Sequence, residues 1–473
     1  MVFMPGSMAN RIFNRLGEPG LPQTRIFKLP KRIVMKSMLK FALLTFYLLF
    51  SAGNLFSQGD VIQLESEARD QFEWYLRNTA NRDVLVKSAD LIDEAERMMG
   101  AFAVVRVFQT KAKIYYRVAE LDLNPLIDGS VTGVEHKIRP HAALDAYKAL
   151  RNCLTLLTDP YSIGETNFGI KTLMPLLMYE GLFAYDAAQY EDAYQMGLAG
   201  DEAFEGLIAA GLENSFDDGE VRKSLVFVGG AGALQTARFD EAYRLLKKAY
   251  DLGYKTASEY ELYITVSMIF AYDQGLLIWE EACETFPDLY YDFLLAKING
   301  AALAGRVGEA MLSWLEEAIK LDPQNSSLYL FRGGCYESLF NIAYNTPDGM
   351  DEAHKNFTAA VADYEKVLKM DPSNASAAYS AAAIRFNRVA MAGNINAQFP
   401  VPDEKYVKEF ETYMMESLPY FMKAEKLNPN DVNVLSALQA IFEYRGEPKK
   451  AEDMKARLAV LDEGGKHEKP YFK

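Results

Sequence analysis

Cysteine and histidine are scarce in this chain, and their spacing does not suit metal chemistry. Among 473 residues there are four histidines and three cysteines, Cys153, Cys283 and Cys335. Zinc sites need closely spaced ligand pairs, and the sequence has none. His136 and His141 are five residues apart with a proline between them, not four apart on one helix face. We therefore predict no metal site and three thiols buried in helices, with one disulfide between two of them left open.

Motifs for nucleotide binding and for hydrolysis are also lacking. The chain has no G-x-S-x-G elbow and no P-loop. The stretch "SLVFVGGAGALQTARF", residues 224–239, resembles a dinucleotide fingerprint, but the third glycine is missing. Asp251 lies at the right distance for the ribose acid, yet within the plainly helical "RLLKKAYDLG". We predict no cofactor, no catalytic residue and no enzymatic activity.

Acidic residues outnumber basic ones outside the N-terminal segment. The whole chain has a net charge of −15, and residues 1–57 hold eight basic residues and one acid. The remaining residues carry 42 basic and 64 acidic side chains, a net charge of −22. A body of this charge repels phosphate backbones, so we expect no nucleic-acid partner.

The only long apolar run lies near the N-terminus and has the layout of an export signal. Lys36 and Lys40 precede ten apolar residues, 41–50, and small residues follow up to Ser57. The run is short for a membrane span, so we predict a signal peptide over 35–57, cleaved after Ser57. The alternative that the segment is not cleaved and is retained as a membrane anchor stays open. Residues 1–34 are interpreted as an upstream tail, disordered or untranslated, with Met1, Met35 or Met38 as the start.

The predicted cleavage point carries no cysteine for lipidation, because the first one in the chain is Cys153. The mature protein is therefore expected in an oxidising space outside the cytoplasm, as a periplasmic or secreted protein rather than a lipoprotein. No stable membrane span is expected after cleavage.

Three short segments repeat through the C-terminal half of the chain: "KLDPQN" at 320–325, "KMDPSN" at 369–374 and "KLNPND" at 426–431. Each follows an amphipathic run and contains a proline, which ends a helix. Asn325, Asn374 and Asp431 are placed to cap the next helix. The segments therefore predict helix ends followed directly by helix starts.

Small and aromatic residues recur in register around these prolines. Each proline is expected to separate two helix pairs. The first helix of a pair carries Tyr329, Gly333 and Tyr336, and in the next pair Tyr379, Ala383 and Phe386. The second helix, with the proline that ends it, carries Ala360, Tyr364 and Pro372, and in the next pair Ser417, Phe421 and Pro429. This alternation resembles the tetratricopeptide repeat of 34 residues. The resemblance implies an all-α, right-handed superhelical solenoid of antiparallel helix hairpins over 58–462. We expect about eight units from roughly 100 to 462, a preceding helix over 83–99, and a flexible tail over 463–473.

The glycine-rich stretch also fits this register. When the tetratricopeptide motif is aligned on Ala242, Gly230 falls at the position where the motif has glycine, and Val226 falls at a position where it has an aromatic residue. The stretch is therefore expected to be a helix, packed closely against a neighbour. Alanine is expected to be tolerated at Gly230, whereas leucine is expected to separate the helix pair.

Two insertions depart from the 34-residue period. The prolines at 323, 372 and 429 are 49 and 57 residues apart, and both excesses fall between the helices of a pair. Hairpin insertions lie along one edge of a solenoid. They are either tolerated loops or a binding edge near Asn394 to Lys405.

The resemblance to tetratricopeptide proteins, in particular to exported bacterial ones with no assigned activity, implies binding of a protein or peptide through a concave groove lined by first helices. The positions that would face this groove are Ser327, Leu330, Gly334, Ser380, Ile384, Asn387, Asn433, Ser436 and Ala440. An alternative is a solute- or glycan-binding component of nutrient uptake at the outer membrane. The partner's identity and the oligomeric state stay open.

Overall fold

The structure is a computed structural model that describes residues 58–99, 104–130, 138–212, 219–344, 346, 349–396 and 404–472. Within these ranges the chain forms 18 α-helices, one short 3₁₀ turn at Pro287–Leu289 and no strand. By contacts it divides into two compact units, whose described parts are residues 58–270 and 271–472. The predicted all-α class is confirmed.

The first unit contains nine helices. They are α1 Gln58–Arg77, α2 Arg82–Met99, α3 Val105–Ile127, α4 Ala142–Leu156, α5 Pro160–Asp186, α6 Tyr190–Ala209, α7 Gly219–Gln235, α8 Phe239–Asp251 and α9 Ala257–Phe270. Successive helices pack as hairpins, α1 with α2 through to α7 with α8, and α9 packs on α8. One apolar core runs through the unit from Val61 to Val228.

The second unit contains the other nine helices. They are α10 Tyr272–Thr285, α11 Tyr290–Leu303, α12 Glu309–Leu321, α13 Ser326–Tyr344, α14 Met350–Met370, α15 Ala375–Asn396, α16 Glu404–Leu427, α17 Val432–Tyr444 and α18 Pro448–Asp462. The hairpins are α11 with α12, α13 with α14, α15 with α16 and α17 with α18. The longest ones, α13/α14 and α15/α16, are the two in which the sequence shows insertions.

Helix starts in the second unit follow the predicted capping chemistry. The side-chain oxygen of Asp431 accepts hydrogen bonds from the backbone N–H of Asn433 at 2.9 Å and of Val434 at 3.1 Å. Asn374 accepts from Ala377 N–H at 2.9 Å, and Asn325 accepts from Ser327 N–H at 3.2 Å. Each bond satisfies an N–H that has no partner inside its helix. All three predicted caps are confirmed.

The last hairpin matches the predicted register closely. Leu435, Leu438 and Phe442 on α17 are buried, and Ala451 on α18 faces them. Gly446 adopts a φ of +66° at the turn, a backbone conformation that glycine adopts without strain. The strength of this unit's sequence pattern follows from its short turn, which leaves the 34-residue spacing intact.

The stretch 224–239 is helical rather than a strand and phosphate loop, since α7 extends from Gly219 to Gln235. Its glycines face two neighbours. A Cβ atom at Gly232 would lie 2.6 Å from both Tyr190 O and Tyr194 N of α6. A Cβ at Gly230 would lie 2.7 Å from Leu246 Cγ and 3.1 Å from Leu246 N of α8. Both helices therefore approach α7 as closely as backbones allow.

This geometry corrects one expectation about Gly230. Its Cβ would meet Leu246 Cγ at 2.7 Å, Leu246 Cδ2 at 2.9 Å and Leu246 N at 3.1 Å. Alanine at Gly230 therefore requires the Leu246 side chain and the α8 backbone to shift, which argues against the expected tolerance of alanine. The expectation followed from the motif, which specifies a small residue, whereas the spacing here leaves a Cβ closer than an ordinary contact.

The same small-against-large contact occurs in α13/α14. A Cβ at Gly333 would lie 2.6 Å from Cε1 of Tyr364, whose ring is buried. Tyr364 donates a hydrogen bond of 2.6 Å from its hydroxyl to Glu337. The aromatic ring thus fills the space that the missing side chain leaves, as the spacing of Gly333 and Tyr364 predicts.

Three parts of the chain differ from the sequence-based expectation. Helix α1 was not predicted, and it pairs with the helix expected over 83–99. The repeats expected from roughly 100 to 462 are divided between two compact units, whose boundary lies between Phe270 and Ala271. The segment after α18, expected to be flexible, is held against the second unit by hydrogen bonds such as that from Tyr471 N–H to Glu425, at 2.7 Å.

Replacement of Gly232 by alanine is expected to destabilise the protein by about 1 to 3 kcal/mol, because a methyl group would overpack against the α6 backbone. Chemical denaturation followed by circular dichroism measures the change. Gly206 on α6 is the matched control, since a Cβ there meets nothing within 4 Å. Gly206→Ala should be neutral or stabilise by up to about 1 kcal/mol. Equal effects of the two substitutions would contradict the packing assignment.

Candidate functional site

The predicted groove positions lie on α13, α15 and α17, the first helices of three successive hairpins in the second unit. On α17, Asn433, Ser436 and Ala440 are all exposed and share one face, because they are three and four residues apart. The opposite face carries buried residues, including Leu435 and Leu438. The structure therefore presents a continuous face of small and polar side chains here.

On α13, Ser327 is exposed, and Leu330 is half-buried against the core of the unit. Gly334 is partly exposed, and a Cβ there would meet nothing within 4 Å. It differs in this respect from its neighbour Gly333, which faces Tyr364. The backbone of α13 at Gly334 is therefore open to approach by another molecule.

On α15 the three predicted groove positions differ in their exposure. Asn387 is exposed, and Ser380 is half-buried within hydrogen-bonding reach of the Tyr364 hydroxyl. Ile384 is fully buried, so its assignment to the groove is wrong. It follows Ala377 by seven residues and Ala381 by three, which places it on the apolar stripe that faces the core. The spacing carried over from the other repeats therefore fails at this position.

The predicted binding edge near Asn394 to Lys405 falls mostly outside the described residues. Asn394 lies in α15 and Lys405 in α16, but residues 397–403 between these helices are not described. Next to this segment, α16 forms a shallow depression of about 230 Å³, lined by Lys408, Glu409, Thr412 and Tyr413. A ligand-sized cavity is not formed by these residues alone.

Sequence reasoning missed a buried cation beside this depression. The side chain of Arg388 is 6% exposed, and its guanidinium carbon lies 5.7 Å from the Tyr413 ring centroid and 5.8 Å from that of Phe357. Its Nη1 makes no hydrogen bond to the described residues. The aromatic faces stabilise the charge in place of a carboxylate. No sequence signal singles out this arginine, because neither ring is near it in the chain.

A second buried cation lies between α10, α11 and α12. Lys297 is 3% exposed, and its Nζ lies 3.2 Å from the Trp279 ring centroid and 4.6 Å from that of Trp314. Burial lowers the pKa of Lys297 to about 8, although the Glu317 carboxylate opposes the shift. Burial also raises the pKa of the neighbouring Cys283 thiol to about 11, so that thiol stays protonated. This cluster therefore joins three helices and lacks a thiolate nucleophile.

Burial affects the other two cysteines in the same way. The thiols of Cys153 and Cys335 are buried, and burial raises the pKa of each to about 12. All three cysteines are free thiols. Within the described residues no group of three or more His, Cys, Asp or Glu side chains is arranged to hold a metal ion. His136 lies outside the described residues. The Nε2 atom of His141 lies 3.8 Å from Oδ2 of Asp192.

Glu259, in the first turn of α9, is the buried acid that stands apart from the others. It is fully buried, and neither carboxylate oxygen accepts a hydrogen bond from the described residues. The Thr256 hydroxyl accepts from Glu259 N–H at 3.2 Å, which is half of a capping box. Burial raises the pKa of Glu259 to about 9. The carboxyl group is therefore protonated near neutral pH.

The hairpins, their capped junctions and the contacts of small residues with large ones define each unit as an all-α array of helix hairpins of the tetratricopeptide type. No helix in the described ranges has both the length and the apolarity needed to cross a membrane. No protein-family model matches the chain. No curated protein matches it either.

Solved structures with a similar arrangement are helical repeat proteins. The C-terminal part of a TPR repeat-containing protein from Cytophaga hutchinsonii is 14% identical, with a TM-score of 0.36, over 61% of this chain and 96% of its own. The P58(IPK) TPR domain is 14% identical, with a TM-score of 0.24, over 88% and 99%. A human IFIT1 dimer with m7Gppp-AAAA is 12% identical, with a TM-score of 0.29, over 87% and 96%. Likenesses this distant give no information about a ligand.

Glu259 generates a testable dependence on pH. Its folded-state pKa is raised above the unfolded value of about 4.5, so its contribution to stability is complete below pH 4.5 and is lost as pH rises to about 9. We expect Glu259→Gln to match the wild type near pH 4.5 and to exceed it in stability at pH 8. Urea unfolding at both values measures the difference. Glu261→Gln, an exposed position on the same helix, is the control. A pH-independent difference at Glu259 would contradict the assignment.

Proposed function

We propose that this protein is an exported, non-catalytic scaffold that binds an extended segment of a protein partner along α13, α15 and α17. The observation that carries the proposal is the exposed face of Asn433, Ser436 and Ala440 on α17. Small side chains allow an extended chain to approach, and carboxamides can both donate to and accept from its backbone. Asn387 and the open backbone at Gly334 supply matching features on α15 and α13.

Arg388 on α15 offers a second group that such a partner could use. Its guanidinium is held by Phe357 and Tyr413, and Nη1 has no acceptor among the described residues. A partner segment that supplies a carboxylate or carbonyl oxygen there would complete the hydrogen bonding of a buried cation. The acidic surface of the mature chain favours a partner that is otherwise basic or neutral.

Binding along α17 is tested by photo-crosslinking in the native host. A benzoylphenylalanine at Ser436 is expected to form adducts with a polypeptide, whereas the same group at Lys455, exposed on α18, is expected to form few. Mass spectrometry of the adducts identifies the partner. Equal crosslinking from both positions would contradict binding on this face. Adducts that contain only saccharide would favour the alternative of a glycan-binding component.

Export is proposed from the sequence layout of residues 35–57, and the first described helix begins at Gln58, directly after the proposed cleavage point. We expect osmotic shock to release a protein whose intact mass corresponds to residues 58–473. Replacement of Ser57 by phenylalanine should retain the signal, because the cleavage site needs small residues. An intracellular product that begins at Met1, Met35 or Met38 would contradict export.

A further inference from the structure

The segment after α18 lies against the second unit without regular secondary structure, and its backbone bends at residues 468, 469 and 471. Helix α18 ends at Asp462, Gly464 turns the chain with a φ of +81°, and residues 467–472 then contact α16, α17 and α18. Residues 467–472 are called the tail below. They are neither helical nor free of contacts, and the contacts are of two kinds.

Contacts of the first kind hold the backbone of the tail. The Asn430 side chain makes two hydrogen bonds to His467: its Nδ2 donates to the carbonyl at 3.1 Å, and its Oδ1 accepts from the N–H at 2.7 Å. Arg457 donates to the carbonyl of Lys469 at 3.1 Å. Glu425 accepts from the N–H of Tyr471 at 2.7 Å and of Phe472 at 3.2 Å. These bonds are independent of the side chains that the tail carries.

Contacts of the second kind hold two aromatic side chains. The Tyr471 hydroxyl donates to Asp453 of α18 at 2.7 Å. The ring of Phe472 lies 6.3 Å from that of Phe442 on α17 and 4.9 Å, edge to face, from that of Tyr471. Both rings are half-buried against the core of the unit. They anchor the tail and give the contact a preference for adjacent aromatic residues.

The receiving groups lose hydrogen-bond partners if the tail leaves. With the tail in place the Glu425 carboxylate is fully buried, and its partners are Arg457, at 3.1 Å, and the two N–H groups of the tail. A buried carboxylate is stabilised by hydrogen bonds and by pairing with a cation. Departure of the tail would leave Arg457 and remove the two N–H donors. The site therefore favours a chain segment that offers consecutive N–H groups in the same place.

We propose that Glu425, Asn430, Asp453 and Arg457 form a peptide-binding site for short segments with a proline followed by two aromatic residues, and that the tail occupies it as an internal, displaceable ligand. Pro470 restricts the backbone of the residue before it, so such segments lose less conformational freedom when they bind. The site is formed by α16, α18 and the turn before α17, away from the exposed face of α17. It is independent of the binding proposed for that face.

The tail competes with any external ligand because it is tethered. A linker of four residues, 463–466, joins it to α18, and a short flexible tether gives an effective concentration of the order of millimolar. A free peptide must therefore exceed this concentration to displace the tail of the wild type. Loss of the two aromatic side chains of the tail should make the site accessible at lower peptide concentrations.

The experiment uses the full chain with Tyr471→Ala and Phe472→Ala, and a fluorescent synthetic peptide of residues 466–473 as the probe. Fluorescence polarisation should show binding to this variant at least tenfold tighter than to the wild type. A peptide with alanine at both aromatic positions is the ligand control. Asn430→Ala, added to the tail variant, should weaken binding at least fivefold, because it removes both bonds to the peptide backbone.

Circular dichroism confirms that each variant is folded. If the double variant does not fold, Phe472→Ala alone provides the same test and should bind the peptide more tightly than the wild type. Equal affinity of the wild type and the tail variant would overturn the proposal, because the peptide would then bind elsewhere. Absence of binding to a folded tail variant would also overturn it, because the contacts would then be purely intramolecular.

Discussion

Close approach of helices at residues without side chains is the constraint on which the packing of both units depends. In the first unit, Gly229 and Gly232 of α7 allow contact with the backbone of α6, and Gly230 allows contact with Leu246 of α8. In the second unit, Gly333 admits the ring of Tyr364. Each glycine lowers intrinsic helix stability by roughly 1 kcal/mol relative to alanine. Tight packing across the hairpin offsets that loss, which explains why a helix with three glycines in its interior is buried and regular.

Local chemistry explains which features could be predicted from the sequence. The caps at Asn325, Asn374 and Asp431 involve residues two or three positions apart, so their geometry is readable from the chain. The nature of α7 followed from its register. Ile384 was misplaced because spacing taken from the other repeats assigns it to the groove, whereas it lies on the apolar stripe with Ala377 and Ala381. Arg388 and the contacts of Glu425 with the tail join residues far apart in sequence, where no single-sequence pattern carries information. The aromatic pair Tyr471 and Phe472 was the one available signal that the last residues are held.

In both units some of the many acidic side chains are buried and paired with basic or hydroxyl groups. Glu65 accepts from Arg106 and from Thr110, and Asp363 forms two hydrogen bonds with Arg332 between α13 and α14. Both acids are almost completely buried. Removing one partner from such a pair leaves a buried charge, which is far more destabilising than the pair is stabilising. The carboxyl group of Glu259 has no hydrogen-bond partner among the described residues and avoids a buried charge because it keeps its proton. The buried cations Lys297 and Arg388 contact the faces of aromatic rings.

The tail obeys this rule as well, and the rule determines what its removal would do. Glu425 keeps its pairing with Arg457 when the tail leaves, so the carboxylate does not become an isolated charge. Arg457 in turn donates to the carbonyl of Pro429, within the fold, at 3.4 Å. The receiving surface therefore retains an internal network without the tail, although it loses the two N–H donors. A site that is held together in both states, and fully satisfied in only one, combines folding stability with selectivity for a backbone that offers consecutive N–H groups.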